Sequence, residues 1–252
     1  MSATDDGGNG RKWDRSAAEK KAMAALIEAE AETEKQRGRK SKLEADIMRM
    51  KTELAKREYQ DAKDMDDRVK AADDYHFIYR FYGAVTNASV STCIDRLTEW
   101  HRLSPGQDIE IIFNSPGGSV VDGFELFDFI VGLREAGHRV TTGCTGIAAS
   151  MAGILVQAGT HRWMSAESWY MIHRTAFGAI GKTFEIEDTV EWIKRIEARI
   201  KKIFASRSDL TEAKIKRNWE RKDWWIDSDE ALELGLVDEV RSSGLVPGRE
   251  RK

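Results

Sequence analysis

The sequence predicts an α/β protein with a largely parallel sheet, preceded by a long helical arm. From residue 75 onward, strand-like and helix-like segments alternate, which is typical of parallel α/β folds. Residues 17–74 contain no proline and are dominated by Ala, Glu, Lys, Arg and Met, which favour helix. Charged residues form 33% of the chain, above the roughly 25% usual in globular proteins, so we expect them to be segregated.

Composition excludes several classes of function. The net charge of −3 gives no support for a nucleic-acid partner or an acidic membrane surface. The two cysteines, Cys93 and Cys144, cannot form a disulfide framework and are interpreted as reduced thiols. No apolar run reaches the ~20 residues of a membrane span, and the N-terminus lacks a secretory signal. A cytoplasmic protein is therefore expected.

The arm comprises residues 17–74 and follows a segment, 1–16, that is rich in Gly, Asp and Ser and is predicted to be disordered. Gly38 interrupts the helical pattern, so either one long helix or two joined helices are expected. Four apolar residues step by four, three and four, as in a heptad repeat: Leu43, Ile47, Met50 and Leu54. We interpret the arm as a coiled coil that binds itself or a partner; the alternative is a solvated, partly frayed helix.

The elements after the arm follow from residue type and spacing. Predicted strands, short and β-branched or aromatic, cover 76–83, 108–113, 138–144, 161–164, 169–172 and 236–240. Predicted helices cover 90–101, 121–135, 147–158, 184–206, 211–220 and 228–234. Ser89 is the expected N-cap of the first of these helices. Residues 242–252 are expected to be a loose tail.

Two glycine-rich loops follow predicted strands. The first, NSPGGSV at 114–120, lacks both the P-loop Lys-Ser/Thr and the G-x-G-x-x-G spacing, so a phosphate cradle is not indicated. An ordinary tight turn and an oxyanion hole remain. The second, TGCTGIAASMAG at 142–153, carries Ser150 where a strand enters a helix. Such a position can present a nucleophilic hydroxyl, although a serine among small residues can also serve packing alone.

A nucleophilic serine needs a base, and the base needs a carboxylate that orients it. Of the five histidines, His173 stands out because it ends the apolar strand WYMI and precedes a glycine-containing loop. Asp223, followed by two tryptophans, is the candidate carboxylate. Asp227 and Asp229 are chemically equivalent alternatives, although Asp227 is better placed to cap the next helix.

Several motifs in order resemble the proteolytic subunit of the Clp protease family, across residues 75–240. They are FYGAV, IIFNSPGGSVVDGFELFDFI, TGIAASMAG, YMIHRTAFGAIG and ERKDWWIDSDEALELGLVDEV. The resemblance places the nucleophile at Ser150, the base at His173 and the acid at Asp223, with the backbone N–H groups of Gly118 and Met151 as the oxyanion hole. It implies a serine endopeptidase domain at 75–241 that needs no metal or organic cofactor.

The resemblance also implies architecture and partners. The expected fold is ClpP/crotonase-like, built of repeated β-β-α units, with residues 184–206 as a protruding handle helix. Homo-oligomeric rings of seven subunits, often double rings, and protein or peptide substrates are expected.

The long arm departs from the family, because it stands where short pore loops pair with an AAA+ unfolding ATPase. This argues against an ATPase partner. The arm and the tryptophan-rich RKDWW segment resemble Clp-related proteases of phages and prophages, which implies a role in capsid or scaffold maturation.

Three other readings remain open. A crotonase-type enzyme would use a similar glycine loop on acyl-CoA thioesters and would not need a Ser-His-Asp set. A catalytically silent scaffold protein would use the arm for assembly. A Ser-Lys peptidase would take Lys182 as its base.

Overall fold

The structure, a computed structural model, describes residues 17–220, 222–242 and 249–250. The segment 1–16, predicted to be disordered, lies outside the described residues, as does most of the predicted tail at 242–252. The chain divides into two compact units, the first ending at Arg68 and the second beginning at Val69.

The arm is a single helix. α1 (Ala17–Ala71) runs for 55 residues and buries no side chain. It passes through Gly38 without interruption, so of the two predicted arrangements the single helix is the one observed. A glycine in a helix costs about 1 kcal/mol relative to alanine, which the strong helix formers on either side offset.

The second unit alternates strands and helices. Its strands are β1 (Ile78–Tyr82), β2 (Ile109–Ser115), β3 (Val140–Ala149), β4 (His161–Ser165), β5 (Trp169–Ile172), β6 (Trp224–Ile226), β7 (Glu239–Arg241) and β8 (Arg249–Glu250). Its α-helices are α2 (Asn87–Leu103), α3 (Val120–Glu135), α4 (Met151–Val156), α5 (Thr183–Arg207), α6 (Glu212–Trp219) and α7 (Ser228–Glu233). A short 3-10 helix, Asp73–His76, precedes β1.

The predicted largely parallel α/β sheet is confirmed. Within the described residues, eight strands form one sheet in the order β1-β2-β3-β4-β7-β8, with β5 paired to β3 and β6 paired to β5. The pairings among β1, β2, β3, β4 and β7 are parallel, whereas β6 and β8 run antiparallel to their neighbours.

β3 is the central fork of the sheet. Its residues 141–144 pair with β4, and its residues 147–149 pair with β5, both in parallel. Because the carboxyl end of β3 leaves β4 and joins β5, the segments that follow β3 and β5 emerge side by side. Ser150, the predicted nucleophile, follows β3, and His173, the predicted base, follows β5.

Apolar side chains of β1 to β5 and of α2 to α5 contribute to one buried core. α5 is amphipathic in its second half, where it buries Ile193, Ile196, Ile200 and Phe204. Its beginning is different, since residues 183–188 are all exposed. This matches the expectation of a protruding helix.

Three predicted details are wrong. Residues 147–149, predicted as helix, are the last part of β3, because their backbone pairs with Trp169, Tyr170 and Met171 of β5. β6 was not predicted at all, and neither was β8, which lies in the segment expected to be a loose tail and pairs with β7. The N-cap of α2 is Thr86, whose hydroxyl accepts from the backbone N–H of Ser89; Ser89 instead takes the third position of a capping box.

Candidate active site

Ser150 lies in a strained turn between β3 and α4. Its backbone angles are φ 55° and ψ −123°, a combination that non-glycine residues rarely adopt. Its N–H donates to the carbonyl oxygen of Met171 in β5 at 2.8 Å, which anchors the turn to the neighbouring strand. This strand–turn–helix arrangement has the geometry of a nucleophile elbow, which holds a side-chain oxygen clear of the sheet.

His173 follows β5 directly and contacts the serine. Its Nε2 atom lies 2.7 Å from the Oγ atom of Ser150, a normal hydrogen-bond distance. The parallel pairing of Ala149 with Met171 brings the two positions together, because each lies just beyond the end of its strand. For the hydroxyl to donate to Nε2, the imidazole proton must be on Nδ1.

Asp223 is the carboxylate nearest to that Nδ1 atom among the described contacts of His173. The distance from Nδ1 to its Oδ1 atom is 3.8 Å, too long for a hydrogen bond, and the Asp223 side chain is 56% exposed. The antiparallel pairing of Trp224 with Ile172 places Asp223 beside the base.

Asp227, one of the two alternative acids together with Asp229, has another role. Its Oδ1 atom accepts from the backbone N–H of Glu230 at 2.8 Å, so it is the N-cap of α7, as the sequence indicated.

The glycine loop after β2 packs directly against the serine turn. Gly117 has φ 88°, and a Cβ there would lie 2.6 Å from the carbonyl oxygen of Ala149 and 2.7 Å from the Cβ of Ser150. Gly118 has φ 151°, and a Cβ would lie 2.2 Å from the carbonyl oxygen of Val85. Only glycine fits either position. Backbone hydrogen bonds from Val85 to Gly117 and from Ser119 to Val85 hold the loop in place.

A cavity of about 210 Å³ opens beside the serine. Ser150 and His173 line it together with Gly118 and Met151, the two predicted oxyanion-hole residues. Its remaining lining is mostly apolar and includes Val120, Ile154, Ile172, Ile200 and Phe204. The arrangement provides a hydroxyl with a basic partner, backbone N–H groups of the glycine loop and of the start of α4, and room for an apolar group.

Comparison with known proteins is consistent with this site. A model of the Clp protease family matches residues 60–244 of the chain. The chain belongs to the Clp protease family.

Curated relatives in that family are named ATP-dependent Clp protease proteolytic subunits. The Porphyromonas gingivalis protein is 37% identical over 138 residues, which are 54% of this chain and 60% of the relative. The Bacteroides fragilis protein is 39% identical over 140 residues, 55% of this chain and 66% of the relative. The Bacteroides thetaiotaomicron protein is 36% identical over 158 residues, 62% and 70% of the two chains. This chain thus spans less than two thirds of the length of the first two relatives.

An ion pair next to His173 ties this Clp protease domain's candidate site to α5, and sequence reasoning missed it. The Nε and Nη2 atoms of Arg174 donate to the two carboxylate oxygens of Glu197 at 3.0 and 3.1 Å. Glu197 is 8% exposed, whereas half of the Arg174 side chain is exposed. The hydrogen bond to Glu197 raises the pKa of Arg174. The pair fixes the backbone immediately after His173.

The other candidate groups lie elsewhere. His101 contacts His138, and His161 contacts Glu239. Lys182 is the N-cap residue before α5 and does not line the cavity, and the residue that contacts Ser150 is His173.

Cys93 and Cys144 are fully buried, and burial raises the pKa of both thiols, which keeps them protonated and unreactive.

In the part of the chain that the structure describes, no group of three or more His, Cys, Asp or Glu side chains is arranged to hold a metal ion. Of the described helices, none combines the length and apolar character needed to cross a membrane.

Proposed function

We propose that this chain is a serine endopeptidase in which Ser150 is the nucleophile, His173 the general base and Asp223 the group that orients the base. The 2.7 Å contact between Ser150 and His173 carries the proposal, because it joins a strained serine turn to a histidine from a separate strand. Family membership supports the same reaction class. A site built to bind acyl-CoA thioesters would not need this contact.

Each step of the proposed reaction has a residue to perform it. The Oγ atom of Ser150 attacks the peptide carbonyl carbon while Nε2 of His173 takes its proton. The N–H groups of Gly118 and Met151 bind the oxyanion. His173 then protonates the leaving amine as the C–N bond breaks. Water, deprotonated by the same imidazole, hydrolyses the acyl-enzyme and regenerates the serine hydroxyl.

The proposed substrate is a peptide or protein that places an apolar side chain in the cavity beside Ser150. Val120, Ile154 and Phe204 lie in its wall and favour such a group. The relatives' names describe proteolytic subunits, which supports a protein substrate for this chain.

We also propose assembly into a homo-oligomeric ring, heptameric or double. Phe184, Ile186 and Trp192 on the early part of α5 are between 37% and 57% exposed, which suits a surface that is covered in an assembly. The role in capsid or scaffold maturation rests on the α1 arm and the RKDWW segment alone. Cytoplasmic placement stays a prediction from the sequence, as does the lack of an ATPase partner.

The test is hydrolysis of fluorogenic peptides by the purified full chain and by its Ser150→Ala variant. Ser41→Ala, which alters an exposed serine of α1, is the matched control. We expect Ser150→Ala to lower turnover by at least about a thousandfold with unchanged oligomer size, and Ser41→Ala to keep wild-type turnover. Equal, measurable rates for wild type and Ser150→Ala would refute Ser150 as the nucleophile, and no turnover by the wild type would favour a silent scaffold.

A further inference from the structure

The proposed peptidase chemistry makes no use of α1, whose apolar side chains all face solvent. Leu43, Ile47, Met50 and Leu54 are between 38% and 64% exposed. Because they step by four, three and four residues, they form one stripe along the helix, which we call the α1 seam. A continuous apolar stripe of this kind is stabilised when another helix covers it.

The residues of the α1 seam suit a two-stranded coiled coil. In heptad notation Leu43 and Met50 take d positions, and Ile47 and Leu54 take a positions. Branched Ile at a and Leu at d favour parallel dimers. Lys40 takes the preceding a position, where its Nζ atom lies 3.9 Å from Glu44 of the same helix. Thr33 at a and Gln36 at d are polar as well, so the apolar part of the core runs from Leu43 to Leu54. A polar residue at an a position is a known means of setting register.

Charges beside the seam indicate what covers it. In a parallel, in-register pair of identical helices, each g residue faces the e residue five positions later on the other helix. Three successive pairs of this kind are oppositely charged in this sequence: Glu32 with Arg37, Arg39 with Glu44, and Asp46 with Lys51. The next pair, Glu53 with Glu58, is like-charged. The core position after Leu54 is also charged, since it is Arg57. The complementary stretch therefore ends at Leu54.

An antiparallel pairing of the same four core residues is less favourable. It would bring Glu44 near Lys51 of the other helix, but it would also bring Asp46 near Glu53 at the centre of the contact. Like charges across a helix interface are repulsive. In the parallel arrangement the g and e residues before Leu54 make no such like-charge contact, and the one like-charge contact is that of Lys40 with its own copy at an a position.

We propose that residues 32–54 of α1 form a parallel, in-register, two-stranded coiled coil with α1 of a second copy of this chain. The interface is independent of the proposed active site, because it uses only residues of the first compact unit.

Engineered cysteines in the full chain test the proposal. Leu43→Cys and, in a separate variant, Leu54→Cys bring each residue next to its own copy only when the helices are parallel and in register. Met48→Cys, at an outward position that is 66% exposed, is the control. The two native cysteines are fully buried and do not compete.

After mild oxidation we expect disulfide-linked dimers from both seam variants and not from Met48→Cys. A dimer from neither seam variant would indicate an antiparallel pair, which sets Leu43 opposite Leu54, or a different partner. A dimer from only one would indicate a contact outside the proposed register. Equal linking of Met48→Cys would indicate contact without a defined seam. Each of these three results overturns the proposal.

A charge exchange provides a second test. Arg39→Glu in the Leu43→Cys chain replaces two attractive contacts per dimer with two repulsive ones, and we expect the yield of linked dimer to fall about fivefold. Adding Glu44→Arg restores opposite charges between the two copies and should restore the yield. No loss with Arg39→Glu, or no recovery in the double exchange, would contradict the pairing of Arg39 with Glu44.

Discussion

The Nδ1 atom of His173 lies 3.8 Å from the Oδ1 atom of Asp223, and the Asp223 side chain is 56% exposed. At this distance and exposure the carboxylate acts on the imidazole as a nearby charge screened by water, without a hydrogen bond that holds one tautomer. The contact between Ser150 and His173, at 2.7 Å, is by contrast a normal hydrogen bond. In the proposed triad, the contact between His173 and Asp223 is therefore weaker than the contact between Ser150 and His173.

Asp223→Asn should consequently lower peptidase activity less than Ser150→Ala does. We expect kcat/KM for peptide hydrolysis to fall about 10- to 100-fold, because an exposed carboxylate contributes modestly to orienting the imidazole. Asp227→Asn is the control, since asparagine also caps helices well and activity should not change. If Asp223→Asn is as damaging as Ser150→Ala, the carboxylate must close onto His173 during turnover.

Gly117→Ala should abolish activity, because a Cβ at this position meets the backbone of Ala149 and the side chain of Ser150 at 2.6 and 2.7 Å. The serine turn would have to shift, which moves Oγ away from His173. Gly132→Ala is the matched control, since α3 leaves open space there and alanine favours helix by about 1 kcal/mol. Steady-state kinetics and thermal melting of both variants check this. Wild-type kcat for Gly117→Ala would show that the loop does not support the nucleophile.

Arg174→Ala should lower both stability and kcat. It leaves the buried Glu197 carboxylate without its guanidinium partner, which should lower the free energy of unfolding by about 1–2 kcal/mol. It also removes the contact that holds the backbone after His173. Urea unfolding and peptide hydrolysis measure the two effects. Adding Glu197→Gln removes the unpaired charge and should recover most of the stability but not the kcat. If the single variant keeps wild-type kcat, Arg174 does not position the base.

Acid should weaken the fold partly through Asp238. Burial raises the pKa of this carboxyl, but hydrogen bonds and charge from Arg162 outweigh burial and hold the pKa below 3.8. A carboxyl with a depressed pKa contributes stability above its unfolded pKa and loses it as the pH falls through its folded pKa.

We therefore expect Asp238→Asn to be less stable than wild type at neutral pH, with the difference shrinking in acid below pH 3.8. The midpoints of urea unfolding at neutral pH and in acid measure this difference in stability. Asp95→Asn, at an exposed position of α2, serves as the control and should follow wild type. A difference between Asp238→Asn and wild type that does not change with pH would contradict the role of this carboxylate.

His173 could be predicted because it ends a strand with a recognisable local pattern, whereas Ser150 lies inside the predicted helix 147–158 and is singled out by the motif TGIAASMAG. Asp223 could not be chosen over Asp227 on local grounds, since both lie in one polar stretch. Its place next to His173 depends on the pairing of Trp224 with Ile172, two residues far apart in the sequence. The ion pair between Arg174 and Glu197 gave no signal either, because spacing does not select one of 43 acidic residues.

Errors in the predicted elements have a related cause. Residues 147–149 are small or apolar, and such residues fit either a helix or a buried strand. They form a strand because their backbone pairs with β5. β6 has three residues, too few to show an alternating pattern, and its extended backbone depends on β5. Long segments such as α1 and α5 were predictable from the sequence alone, α1 from its helix-forming composition and α5 from its periodic apolar residues.

The most direct test of the proposed peptidase is to label the purified full chain with a fluorophosphonate and map the modified residue by mass spectrometry. The account predicts a single adduct on Ser150 that is lost in Ser150→Ala and greatly reduced in His173→Ala, because the imidazole activates the hydroxyl. An adduct on another residue, or no adduct on folded wild-type chain, would contradict the assignment of Ser150 and His173 as nucleophile and base.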